Sequence, residues 1–297
     1  MTGGPSDFPA PPAQPPTDEI VGVEHRDGVA VQDLRISVPT GDRPTEDAGR
    51  SGGPVEAYLV EPDGIAGKPM KGMPAASAEA HRRPGLLFAH WYDTHAPNGN
   101  RTEFLDEAVG WAGRRQATSI LPQLAFPWHA DPNGSATDVE RIAAEVARLR
   151  HCLDVLVARP GVDPGRIAVV GHDFGAMHAM LLGSMDRRPG AYVLIAAVPR
   201  WGDWFLPFWQ IEEDRIDYLR ALRPLDPIEH VGKLRPARIL LQFALRDFYI
   251  APMVSFEFRR AADGGAEVKS YEAEHDMASP EALADRTAFL EEALVLD

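Results

Sequence analysis

Cysteine is nearly missing from this sequence: Cys152 stands alone among 297 residues, so no intramolecular disulfide can brace the fold. It lies on the apolar side of a helical pattern, which makes it a packed thiol rather than a reactive one. A basic excess is also missing. Thirty Lys and Arg face 44 Asp and Glu, a net charge of −14, and the acidic residues are dispersed. That balance favours solubility and argues against nucleic acid or an anionic membrane surface as partner. Long apolar runs are lacking too: Ala191 to Val198 is far too short to span a bilayer. The N-terminus shows no basic segment followed by an apolar one, so a cytoplasmic protein is expected. Met1 to Ile20 has few large apolar residues and abundant Pro, Gly, Ser and Thr, and is expected to be a disordered tail. No internal repeat is visible.

What is present reads as one α/β domain over residues 21–297. Val29–Val38 and Val55–Val60 alternate apolar and polar side chains, predicting two strands with loops at Thr40–Pro54 and Glu61–Pro84. From Pro84 onward strands and helices alternate. The predicted order is strand Gly85–His90, helix Arg101–Arg115, strand Ala117–Leu121, helix Asp138–Ala158 and strand Arg166–Gly171, which a helix follows. Strand Ala191–Val198, an aromatic segment Trp201–Arg223, strand Arg238–Ala244, helix Ala251–Ala262, strand Val268–Glu272 and helix Pro280–Leu294 complete it. Such alternation implies parallel strands covered by helices, with the chemistry at the C-terminal strand ends. The long helix is the clearest element, because Val139, Ile142, Val146, Leu149, Leu153 and Leu156 form one apolar stripe. Ser135 and Asp138 stand at capping-box spacing at its start.

Gly171-His172-Asp173-Phe174-Gly175 has the glycine spacing of a strand-to-helix nucleophile elbow, with a carboxylate where a hydroxyl is usual. A side chain at that tip projects above the sheet, where the free amides of the next helix favour negative charge. The run Gly161-Val-Asp-Pro-Gly-Arg-Ile-Ala-Val-Val-Gly-His-Asp-Phe-Gly175, with the order of elements around it, resembles the dienelactone-hydrolase-like branch of the α/β-hydrolase superfamily over roughly residues 29–297. The resemblance implies an α/β-hydrolase fold: a mainly parallel central sheet flanked by helices, with a small helical lid at about 201–223.

Family order then implies roles. Asp173 stands at the nucleophile position, Asp247 at the acid that orients a histidine, and His275 at the base; Asp203, after the preceding strand, is the rival acid. Asp247 has a plainer use as the cap of the helix that follows. The loop His90-Trp91-Tyr92-Asp93 corresponds to the oxyanion loop, so the amides of Trp91 and Phe174 would form the hole, narrowed by the bulky Trp91 or supplemented by its indole N–H. Tyr92, Trp201, Trp204, Trp209 and Tyr218 are candidate substrate-binding residues. Tyr218 is also a candidate proton donor, and all five have an alternative use in packing. His172 is expected to pack or hydrogen-bond beneath the turn, and His90 to brace the loop after its strand.

A carboxylate at the elbow redirects the chemistry. Attack of Asp173 on an ordinary ester gives an adduct that expels Asp173 again, because the carboxylate is the better leaving group. Attack on a saturated electrophilic carbon gives an alkyl ester that water, activated by His275, can hydrolyse. Epoxide opening is the favoured expectation. Dehalogenation, dienelactone or ester hydrolysis, lyase or isomerase chemistry with Asp173 as base, and a non-catalytic ligand-binding homologue are the alternatives. The partner is a small-molecule substrate; no metal or organic cofactor is called for, and the oligomeric state is not legible.

Overall fold

The computed structural model describes residues 17–38, 53–63, 82–96, 99–114, 117–211 and 213–295. Residues 1–16 of the expected tail, and most of the two long loops expected before Pro84, lie outside these. The tail expectation is corrected at its end: Thr17–Arg26 is a strand, β1, paired antiparallel with β2 (Val29–Ser37). The turn between them is Asp27-Gly28, with φ of 49° and 80°, the left-handed pair that matches the twist of a tight hairpin. Strand β1 is exposed along most of its length, so it lacks the alternation that reveals a half-buried strand.

A nine-stranded sheet runs β1-β2-β3-β5-β4-β6-β7-β8-β9. Beyond the first two strands it contains β3 (Val55–Pro62), β4 (Arg83–Ala89), β5 (Thr118–Pro122), β6 (Val162–His172), β7 (Pro189–Ile195), β8 (Arg238–Ala244) and β9 (Glu267–Tyr271). The β3–β5 pair is antiparallel, and every pair from β5 through β4 to β9 is parallel. Strands β4 and β6 carry unbroken buried apolar runs, Leu86 to Ala89 and Ile167 to Val170, as a sheet covered on both faces requires.

The helices are α1 (Leu105–Gly113), α2 (Ala136–Val157), α3 (Phe174–Met185), α4 (Trp201–Phe208), α5 (Arg215–Leu222), α6 (Val254–Ala261) and α7 (Pro280–Ala293). Ile142, Val146, Leu149, Cys152, Leu153 and Leu156 are the buried stripe of α2; burial pushes the Cys152 thiol up to about 12, leaving it inert. The expected capping box is not formed. Ser135 makes no side-chain cap, and Asp138 instead accepts from the Asn133 and Gly134 amides at 3.0 and 2.8 Å. The helix expected over Arg101–Arg115 divides into a 3₁₀ turn, Asn100–Thr102, and α1. At the break, Glu103 turns toward the strand ends.

Candidate active site

The elbow is backbone chemistry first. Asp173 has φ 52° and ψ −118°, a left-handed geometry that costs a non-glycine residue of order 1–3 kcal/mol and persists only where its surroundings enforce it. Both flanking glycines enforce it by close approach. A Cβ on Gly171 would lie 2.7 Å from the Ala176 backbone, and one on Gly175 would collide with the Ala89 carbonyl and lie 2.6 Å from that of His90. The Asp173 amide donates to Ile195 O at 2.8 Å, which pins the tip to β7.

Asp173, His275 and Asp247 meet above the ends of β6, β9 and β8. Asp247 Oδ2 lies 2.9 Å from His275 Nδ1, while Asp173 Oδ2 is 3.8 Å from Nε2. The other Asp247 oxygen, Oδ1, accepts from the Tyr249 and Ile250 amides at 2.8 and 3.0 Å, so one carboxylate folds its own loop and orients the imidazole. The rival acid does not reach: Asp203 is paired with Arg200 at 3.6 Å and stands 42% exposed in α4. Asp173 is 1% exposed and His275 8%. Burial disfavours a charged imidazole, but the Asp173 and Asp247 carboxylates outweigh it and lift His275 to about 10. The two flanking carboxyl groups therefore favour the protonated imidazole.

The loop after β4 corrects one expectation about which backbone amide faces the centre. Trp91 N donates to Glu103 Oε2 at 2.6 Å, and the next amide, Tyr92 N, faces the centre, 3.2 Å from Asp173 Oδ2. Tyr92 and Phe174 are thus the amides in position. Phe174 opens α3, where an amide has no acceptor within its own helix. The Trp91 ring stacks on His172 at 5.4 Å and on His275 at 6.2 Å. His172 lies beneath the turn with Nδ1 2.6 Å from Glu103 Oε1 and Nε2 2.8 Å from the His275 carbonyl. Glu103 was not legible in the sequence, since no motif marks an acid between a 3₁₀ turn and a helix. His90 braces its loop: Nδ1 donates to Trp91 O and Nε2 accepts from Leu124 N. Burial holds it neutral, down at about 3.

Aromatic rings wall the centre. Phe174 is the hub, with Tyr92, Trp128, Trp201, Trp204, Phe205 and Trp209 within 5.5–6.3 Å. Trp204 and Tyr249 stand edge-on to His275 at 5.8 and 5.0 Å. Trp201 is set back: its indole donates to Leu225 O and packs on His178. Tyr218 is not aimed at the centre either, because its hydroxyl donates to Asp138 Oδ2 at 2.8 Å, which fastens α5 to the start of α2. Three buried polar atoms on these walls have no hydrogen-bond partner among the described residues: Asp173 Oδ1, Trp204 Nε1 and Trp128 Nε1. Among the described residues, no group of three or more His, Cys, Asp or Glu side chains is arranged to hold a metal ion.

No protein-family model matches the sequence, and no curated protein matches it. Solved structures match over most of the chain. An acetyl xylan esterase from Paenibacillus sp. R4 superposes with a TM-score of 0.67 at 18% identity, over 93% of this chain and 88% of its own. The chain has the α/β-hydrolase fold. A glucuronoyl esterase from Solibacter usitatus gives 0.61 at 12%, over 96% and 87%. A dienelactone hydrolase candidate from Klebsiella pneumoniae subsp. pneumoniae MGH 78578 gives 0.55 at 17%, over 83% and 95%. Within this fold Asp173 occupies the elbow tip and His275 the loop after the last strand. No helix among the described residues is long and apolar enough to cross a membrane.

Proposed function

We propose that this protein is a hydrolase for a small, largely apolar ester or lactone, in which Asp173 is the base and His275 the acid. The observation that carries this reading is geometric: His275 stands between Asp247 Oδ2 at 2.9 Å and Asp173 Oδ2 at 3.8 Å, a setting that lifts the imidazole to about 10 and suits it to give a proton. Asp173 Oδ1, buried without a partner, is the free acceptor. In the proposed step Oδ1 takes a proton from water as the water oxygen bonds to the acyl carbon. The carbonyl oxygen becomes an oxyanion and takes up the Phe174 amide together with the Tyr92 amide, which leaves Asp173 Oδ2 as Asp173 is protonated. Collapse breaks the acyl C–O bond, His275 protonates the departing alkoxide, and the proton on Asp173 then passes to His275 and restores the centre. The esterase neighbours support this class of substrate. So do the indole N–H groups of Trp204 and Trp128, because a buried unpaired donor costs about 1–3 kcal/mol and a substrate oxygen would satisfy it.

A second reading rests on how the Asp173 oxygens divide: Oδ2 is held by the Tyr92 amide and Oδ1 is bare. That division suits direct attack by Oδ1 on the saturated carbon of an epoxide or alkyl halide. The C–O or C–halogen bond breaks, and His275 protonates an alkoxide leaving group. With Asp173 esterified, the imidazole, deprotonated by the alkoxide or, when halide leaves, by release of its proton to solvent once one carboxylate neighbour is lost, becomes the base that directs water onto the Asp173 carbonyl. Tyr218, tied to Asp138, plays no part in it.

One experiment separates the two. A panel of short esters, enol lactones, epoxides and alkyl halides is turned over once in heavy-oxygen water. Label in the released acid supports the base role of Asp173, and label in the Asp173 peptide supports covalent attack. No product from any member of the panel overturns both.

A further inference from the structure

Glu103 is 16% exposed on its side chain, and each of its oxygens is committed to a different part of the centre. Oε2 accepts from the Trp91 amide at 2.6 Å, and Oε1 meets His172 Nδ1 at 2.6 Å. His172 carries the connection across, its Nε2 lying 2.8 Å from the carbonyl of His275. A carbonyl only accepts, so Nε2 bears a proton, and a second proton must lie between Nδ1 and Oε1. One short path thus joins the loop after β4, the elbow after β6 and the loop after β9.

We propose that Glu103 and His172 are a positioning pair: they set which oxyanion-loop amide faces Asp173 and hold His275 in place through its own backbone. The proposal rests on the hydrolase reading. The two successive amides go to different acceptors, Trp91 N to Glu103 and Tyr92 N to Asp173. Glu103, by taking the Trp91 N–H, leaves the Tyr92 N–H directed at Asp173 Oδ2. At the other end of the path, the His275 carbonyl is held from below while Asp247 holds its ring, and the Trp91 indole stacks over both histidines. The stakes are geometric, because a displacement of about 1 Å at a reacting group costs up to ~10²-fold in rate.

Two kinds of variant test it. Gln at 103 can keep every heavy-atom contact: its oxygen accepts from Trp91 N, and its amide donates to the Nδ1 of a neutral His172. Leu at 103 keeps bulk and no polar contact. His172→Phe retains the ring stack on Trp91 and cuts the path from the other side, which covers failure of the Leu variant to fold. On whichever substrate of the panel is turned over, Glu103→Leu and His172→Phe are expected to lower kcat about 30- to 100-fold with KM changed less than about 3-fold. Combining them should add little further loss, and Glu103→Gln should recover most of the rate lost in Glu103→Leu.

Proton NMR reads the same path without substrate. The downfield proton on His275 Nδ1, facing Asp247, should shift in Glu103→Leu and His172→Phe and stay in place in Glu103→Gln. If no substrate is found, the hydrolase reading fails and this resonance still decides the pair. A folded Glu103→Leu or His172→Phe with unchanged kcat or an unmoved His275 resonance overturns the proposal. So does Glu103→Gln as impaired as Glu103→Leu.

Discussion

The floor and the roof of the candidate site are built from different materials. Below, Glu103, His172, Asp247 and the Tyr92 amide place Asp173 and His275 by directed contacts of 2.6–3.2 Å, with two glycines packed against backbone. Above, α4 and the loop after β8 offer rings. Trp204, Phe208 and Tyr249 touch one another at 5.2–5.8 Å, and Tyr249 is 50% and Phe248 87% exposed. Hydrogen bonds lose their strength within a few tenths of an ångström and through modest angles, whereas ring contacts tolerate sliding. The floor therefore fixes Asp173 and His275 through directed contacts, whereas the rings above them meet through contacts that tolerate sliding.

That contrast predicts graded losses. Asp173→Asn or His275→Gln should abolish turnover, on the order of 10³-fold or more in kcat, with the melting temperature little lowered; retained activity would remove both residues from the chemistry. Gly175→Ala comes next and strikes the fold itself. Its Cβ meets the fixed backbone of Ala89 and His90 rather than a movable side chain, so stability should fall by about 3 kcal/mol, read by denaturant unfolding. On the roof, Trp204→Ala should change KM and substrate preference several-fold while kcat on the smallest substrate holds. Equal losses across all substrates would instead place Trp204 in the floor.

The charge of the floor gives a pH signature. His275 is raised from 6.5 to about 10 in the folded protein, so its proton binds the native state more tightly than the unfolded chain. The stability it contributes is fully present below about pH 6.5 and is lost as pH rises toward 10. Asp173→Asn removes one of the two carboxylates behind that shift and should shrink this alkaline loss, measured as melting temperature against pH. The smallest effect belongs to the tether of the roof. Tyr218→Phe deletes one hydrogen bond to Asp138 and should cost about 1 kcal/mol without changing kcat.

Local pattern reached far into this chain. The stripe of α2, the buried runs of β4 and β6 and the glycines at 171 and 175 are periodicities and spacings within one segment, and the structure reproduces them. Asp173, Asp247 and His275 were reached through the family order that the resemblance implies, and each stands in a segment that follows a parallel strand, where the sheet delivers positions to one edge. Strand β1 was not readable, since its exposed side chains leave no alternation, although Asp27-Gly28 carries the hairpin signal. What the sequence by itself determined is therefore the elements from β2 onward in outline, their order and the carboxylate at the elbow. Tertiary structure alone decided that Asp247 rather than Asp203 meets the imidazole, that Tyr92 rather than Trp91 offers its amide, that Tyr218 turns away to Asp138, and that Glu103 takes part at all. Each of those outcomes depends on the direction of a single N–H, O–H or carboxylate across 12 to 81 residues of chain. Such a direction is set by the packing of distant elements, and no periodicity records it.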